Sequence, residues 1–200
     1  MPKLYPGYRD EIRKKIVSEA FEVFLVKGFE KTTMDDIAAR LGVTKPAIYR
    51  YYKNKEELFL ASMAETMMDE FKDIFRTSFA TGDLITGAGL FFDAHLAIDR
   101  KYSAIRKDMD SIISRNASLR EGIDGFHSEG MEFMRHFFEE QKKKGTIHAT
   151  IDNRDLVLIC GALVSGLITS VSFGLDPVEA KRLWLVGFAG IADIRTGRGK

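Results

Sequence analysis

TTMDDIAARLGVTKPAIYRYYKNKEEL, residues 32–58, is the stretch that decides the fold. Two short apolar patterns of helical period flank Leu41-Gly42-Val43, a break too short to let the two segments separate. Thr33 can cap the first helix with Asp36 reaching back to it. Ile37 and Leu41 face inward, and Ala38 is small enough for the second helix to cross closely. Gly42 can take the left-handed conformation that ends one helix and turns the chain, while Val43 and Ile48 bury the other side of the joint. Thr44 is a natural cap for the second helix, and Pro46 is tolerated in its first turn.

This is the spacing of a helix-turn-helix, whose second helix enters the major groove of DNA. With Ile48 and Tyr52 turned inward, the outward face keeps Thr44, Lys45, Ala47, Tyr49, Arg50 and Tyr51. These are hydroxyls, cations and a methyl, suited to phosphates, guanine edges and the thymine methyl. Thr33 and Lys55 begin neighbouring helices, where free N–H groups and the helix dipole favour a phosphate. The alternative is a helical hairpin packed into an ordinary core. Tyrosines at 49, 51 and 52 around Arg50 suit a wet interface better than a bare solvent face.

Residues 28–58, GFEKTTMDDIAARLGVTKPAIYRYYKNKEEL, resemble the tetracycline-repressor (TetR) family of transcriptional regulators. They match its G-[FY]-x-x-T-[ST]-x-x-x-I-A signature, its G-V-[ST] turn, its [IL]-Y core and its closing K-x-x-L. With the preceding helix the resemblance covers residues 9–60. It implies a three-helix DNA-binding head, a helical ligand-binding body, a homodimer joined through the last two helices, and repression relieved by a small effector. The family's phosphate contacts carry over to Thr33, Tyr49, Tyr51 and Lys55, and its base-facing positions to Thr44, Lys45, Ala47 and Arg50. Pro46 and Tyr52 stand where many members have glycine and phenylalanine, which bears on the operator sequence.

The rest of the chain also reads as helix, giving an all-α fold of about nine helices with no alternating strand pattern. Ile12, Ile16, Val17, Ala20, Phe21, Phe24 and Leu25 follow the 3.6 period up to Gly28. Asn54 and Glu57 predict a long helix over 54–78. Further helices are expected near 83–100, 103–115, 118–143, 153–173 and 177–193, with Asp176-Pro177 a strong start signal for the last. Glycines 122, 125 and 130 predict a kink or break in the 118–143 helix, and the tail from Ile194 is expected to fray. The domain division is 1–54 for the helix-turn-helix head and 55–200 for the effector-binding and dimerisation body.

The chain of 200 residues carries a net charge of +1 and one cysteine, Cys160. Its N-terminal third is the cationic part, in keeping with a polyanionic partner. No disulfide framework is possible, and the first fifteen residues lack the apolar run of a secretory signal, so a cytoplasmic location is expected. Residues 156–175, LVLICGALVSGLITSVSFGL, carry no charge over a length that can span a bilayer. Their Gly, Ser and Thr suit close helix–helix contact instead, and no aromatic belt flanks them, so a buried or dimer-interface helix is the expectation.

One short recognition helix touches too few base pairs to select a genomic site, so two copies on a palindromic operator are expected. Gly161, Val164, Ser165, Ile168, Leu183, Trp184, Val186 and Gly187 are the candidate dimer residues. Phe91, Phe92, His95, Met109, Phe126, Phe133, Met134 and Phe137 are the candidate effector lining, although such a stripe is more often plain core. Partners are thus double-stranded operator DNA, a second copy of the chain and a small apolar or amphipathic effector, with no membrane. No cofactor, metal site or enzymatic activity is expected. His95, His127, His136 and His148 lack ligand spacing, Asp108 and Asp110 point to different faces of a helix, and Ser165 lacks a nucleophile elbow.

Overall fold

The computed structural model describes residues 7–115 and 117–194, apart from the side chains of residues 104, 109, 110, 113 and 117–128. The described residues form eight helices and no strand. These are α1 (Tyr8–Lys31), α2 (Met34–Leu41), α3 (Lys45–Tyr49), α4 (Lys55–Phe79), α5 (Leu84–Arg115), α6 (Ala117–Lys143), α7 (Asn153–Ser172) and α8 (Pro177–Ile191). α1 is interrupted at Gly28 (φ 74°, ψ 165°), and counting both sides of that kink gives nine helical stretches. The all-α expectation holds. Two local expectations do not: residues 84–115 are one helix with no break near 100–103, and α6 runs through glycines 122, 125 and 130. Gly costs a helix interior only about 1 kcal/mol, which the length of α6 can absorb.

Two compact units are present. The first comprises residues 1–70 with 102–126, the second residues 71–101 with 127–200. α4 and α5 each contribute to both.

In the first unit α1 buries Ile16, Val17, Ala20, Phe21 and Phe24, the face predicted by its period. Phe24, Phe29 and Phe59 pack ring against ring with centroids 4.9–6.2 Å apart. Phe21 meets Tyr102 edge-on at 5.5 Å. Ile37 and Ala38 of α2, Ile48 of α3 and Leu58 and Met63 of α4 are buried around them. At about 1.5–3 kcal/mol for each large side chain, this apolar core is ample to hold short helices that could not persist alone.

The second unit is built on Phe75, Ala88, Phe91, Phe92, Phe138, Leu156, Cys160, Val164, Ile168, Trp184 and Phe188. α8 crosses α7 so closely that a Cβ on Gly187 would lie 2.4 Å from Leu163 Cδ2. Trp184 donates its indole N–H to Ala88 O at 2.8 Å, which satisfies the polar atom of a buried ring. Burial pushes the Cys160 thiol up to about 12, leaving it an inert apolar side chain.

α7 is, among the described residues, the one helix long and apolar enough to cross a membrane, with a mean hydropathy of 1.9. Its inner face is core and its outer face is exposed. Leu158, Ala162, Ser165, Thr169 and Phe173 lie at helical spacing along that outer face, with Leu183 and Val186 exposed on α8. Of the eight predicted dimer residues, Gly161, Ser165, Leu183 and Val186 retain accessible surface. Val164, Ile168 and Trp184 are a correction: they are buried in the chain's own core, and Gly187 is half-buried at the α7–α8 crossing. The period alone fixes that α7 and α8 have two apolar faces and leaves open which one turns inward.

Candidate nucleic-acid interface

The turn between α2 and α3 forms as its residues dictate. Thr33 Oγ1 accepts from Asp36 N at 3.1 Å and Asp36 Oδ2 accepts from Thr33 N at 2.9 Å, a complete capping box. A hydrogen bond from Lys27 is the first cause, ahead of those from Thr33, that draws the Asp36 carboxyl down to about 2. Gly42 closes α2 in the left-handed region (φ 66°, ψ 29°), and Val43 N reaches back to Ala38 O at 3.0 Å. Two ion pairs fasten α2 on either side, Lys27–Asp36 to α1 and Lys45–Asp35 to α3.

α3 is rooted by Ile48, fully buried, and by Tyr52, whose hydroxyl accepts from Arg13 Nε at 3.2 Å. Burial raises the Tyr52 phenol and keeps it neutral. Tyr51 N and Tyr52 N both donate to Ile48 O, at 2.8 and 3.1 Å, which tightens the chain just past Tyr49. The regular helix is therefore five residues long, Lys45–Tyr49. Thr44 occupies the N-cap position in extended conformation, but its hydroxyl makes no capping bond. Val43 departs from expectation too, being 44% exposed instead of buried in the joint.

Thr44 and Arg50, which flank α3, and Tyr49 at its end are exposed. The Lys45 side chain is 41% exposed, its ammonium held by Asp35 at 2.9 Å, a bond that raises its pKa. Ala47 and Tyr51 are half-buried and, with Ile12, Leu41, Val43 and Arg50, line a shallow crevice of about 220 Å³. The Arg9 guanidinium lies 5.9 Å from the Tyr51 ring centroid, and Lys15 edges the same crevice. Reading residues 32–58 alone missed these two cations. Their signal was the basic cluster of YRDEIRKK at the start of α1.

Thr33 and Lys55 begin α2 and α4 as expected. Asn54 Oδ1 accepts from Glu57 N at 2.7 Å, and Glu57 Oε2 accepts from Lys53 N, one residue earlier than a strict capping box requires. The Lys55 ammonium does not point outward. It donates to Phe29 O at 2.8 Å, Glu30 O at 3.4 Å and Thr32 O at 2.9 Å, and sits 4.2 Å from the Phe29 ring centroid.

In the second unit Phe75 is the hub of an aromatic cluster, within 4.7–6.0 Å of Phe71, Phe79, Phe91, Phe133 and Phe137. His95 leans on Phe91 at 5.4 Å. Phe92 is fully buried, and Met134 packs half-buried against the same core. The structure thus brings together Phe91, Phe92, His95, Phe133, Met134 and Phe137, while the side chains of Met109, Phe126, His127 and Asp110 lie outside the described residues, as does the tail beyond Ile194. An open groove of about 620 Å³ borders Phe133, lined by the ion pair Lys72–Glu129, by Glu132 and by Arg76, whose guanidinium lies over the Phe133 ring. Among the described residues no three His, Cys, Asp or Glu side chains gather as metal ligands.

Residues 16–62 match the profile of the bacterial regulatory proteins of the tetR family. Over 53 residues the chain is 45% identical to the transcriptional activator FasR of Mycolicibacterium smegmatis, a match covering 26% of this chain and 24% of that protein. Matches to the first curated relatives span between 24% and 40% of their lengths. The fold likeness extends further. A TetR-family regulator from Rhodococcus sp. superposes with a TM-score of 0.72 over 92% of this chain and 99% of its own, at 14% identity. FadR of Bacillus subtilis, solved with stearoyl-CoA, gives 0.62 over 89% of this chain and 98% of its own, at 18% identity. The head of the chain, residues 16–62, is thus similar to the bacterial regulatory proteins of the tetR family, and the fold of the chain is similar to that of solved structures described as TetR-family regulators.

Proposed function

We propose that the chain is a ligand-responsive transcriptional repressor that binds a palindromic operator as a homodimer and is released by a largely apolar small molecule. The observation that carries this reading is α3 itself: Ile48 and Tyr52 hold it from within, while Thr44, Tyr49 and Arg50 are exposed. Arg50 is the candidate for a guanine edge, Thr44, Lys45 and Ala47 for the neighbouring bases. Tyr49, Tyr51 and the amino ends of α2 and α4, at Thr33 and Lys55, are the candidates for phosphate contacts that set the register. The functional division is a reading head over residues 1–54 and a sensing and pairing body over 55–200.

The apolar side chains exposed on α7 and α8, Leu158, Phe173, Leu183 and Val186 among them, support a second copy as the partner that covers them. Gly161, Ser165, Leu183 and Val186 are the contacts of choice. A cytoplasmic dimer covers them without lipid. The effector reading rests on the aromatic cluster around Phe75 and on the groove beside Phe133. A ligand with an apolar body and a polar end fits that combination, as a fold neighbour solved with stearoyl-CoA illustrates for its own case. The reading is of a binding protein and assigns no catalytic step.

Selection of bound fragments from random duplex DNA tests the proposal. Recovery of inverted half-sites about one or more helical turns apart is expected, and their spacing reports the dimer geometry. Failure to enrich any sequence at low salt overturns it.

A further inference from the structure

We infer that Asp108 and Lys55 are positioning residues for DNA binding, clamping the single turn Phe29–Lys31 from its two ends so that the helix-turn-helix starts from a fixed point. The inference rests on the proposal that α3 reads DNA. Gly28 breaks α1 with a backbone conformation that side chains rarely adopt, so the turn after it restarts with an N–H that no preceding helical carbonyl receives. That donor, Phe29 N, is taken by Asp108 Oδ2 of α5 at 2.9 Å, from 79 positions along the chain. The carbonyls of the same turn, Phe29 O and Glu30 O, and Thr32 O just beyond it are taken by the Lys55 ammonium of α4.

An anion therefore sits at the amino end of the turn and a cation at its carbonyl end, the arrangement that the peptide dipoles favour. Thr32 Oγ1 closes the loop by donating to Gly28 O at 2.7 Å. Immediately after Thr32 comes Thr33, the cap of α2, so any freedom in the turn becomes freedom of α2 and of the α3 it carries. Both ends of the clamp come from outside residues 28–33, and neither is replaceable by solvent without loosening the turn.

The clamp gives Lys55 a role distinct from a phosphate ligand, and salt dependence separates the two. A phosphate contact contributes a slope of about −0.9 in log K against log [salt], hence a change of about 1.8 for a dimer that loses two. Fragments recovered by the wild-type full chain from random DNA serve as probe, so an empty selection refutes the DNA-binding proposal itself and is distinguishable from failure of the clamp. With the probe in hand, Asp108→Ala and Lys55→Met are each expected to weaken binding at least tenfold with an unchanged salt slope. Asp108→Asn, whose amide oxygen still accepts from Phe29 N, is expected to restore most of the affinity. A fall of the Lys55→Met slope by about 1.8, or Asp108→Ala binding within twofold of wild type, overturns the inference. Amide exchange on the wild-type protein guards against variants that fail to fold: the Phe29 N–H is expected to be protected like a helix-interior amide, and exchange at the rate of an open loop overturns the clamp.

Discussion

The Lys45 ammonium lies 2.9 Å from Asp35 Oδ2, so α2 supplies a counter-ion to the first residue of α3. Both side chains are substantially exposed, and the pair contributes little to folding. Its consequence is for the proposed binding: in the free chain a candidate base-facing cation is already engaged by a carboxylate. DNA must take Lys45 from Asp35 or bind with both in place.

Asp35→Asn therefore strengthens binding to an operator fragment, by about two- to fivefold at low salt, the range set by one exposed charge interaction. The gain shrinks toward nothing as salt is raised, because exposed charges are screened. Titrations of labelled duplex at two salt concentrations check it, and weaker binding by the variant at low salt shows that Asp35 orients Lys45 usefully for DNA.

Gly42 is the second test. At φ 66° a side chain is strained whatever the room around it, and here the room is ample, with no atom within 4 Å of a built Cβ. Gly42→Ala costs about 1–2 kcal/mol through backbone conformation alone. Gly42→Asn costs less, since Asn tolerates this region. Denaturant unfolding measures both; equal stability of the alanine variant and wild type contradicts the assignment of the turn.

Acid should act on the head through Asp36. Its carboxyl is held near 2 against an ordinary 3.8, first by Lys27 and then by Thr33, so the folded state releases this proton more readily than the unfolded one. The associated stability is present above about pH 4 and is lost as pH falls through 2. The melting temperature of wild type falls over that window more than that of Asp36→Asn, and the two curves converge at the acid end. A constant difference between them from pH 5 to 2 contradicts the assignment.

How much of this was legible in advance follows from the range of each interaction. The capping box at Thr33, the left-handed Gly42 and the buried Ile48 are decided by neighbours within a few residues, and each stands where the local pattern puts it. Lys55 was legible as a helix start but not as the cap of a turn more than twenty residues earlier, because nothing local tells a long flexible cation which carbonyls it will meet. Asp108 was invisible for the same reason. Val164, Ile168 and Trp184 suit an interface by their apolar pattern and are core, since an apolar helix does not declare which of its faces another helix of the same chain will cover.

The outer face of α7 and α8 carries the last prediction. Leu158, Phe173 and Val186 are 45%, 88% and 62% exposed, while inward-facing Ile168 and Trp184 are already consumed by the core. A charge placed on the outer face meets water in a lone chain and is desolvated in a dimer, so the same substitution separates the two states. Val186→Glu leaves the unfolding of the isolated chain nearly unchanged, surface substitutions being worth about ±0.5 kcal/mol. In a dimer paired through this face it would bury an unpaired carboxylate in each copy. Sedimentation at micromolar concentration is expected to show dimer for wild type and monomer for Val186→Glu. DNA affinity falls with it by a hundredfold or more, because one short helix then has to hold the site unaided. Trp184→Glu is the contrast: placed in the core beside Ala88 O, it unfolds the chain outright. A Val186→Glu protein that still sediments as a dimer and still binds the selected fragments would move the pairing surface away from α7 and α8.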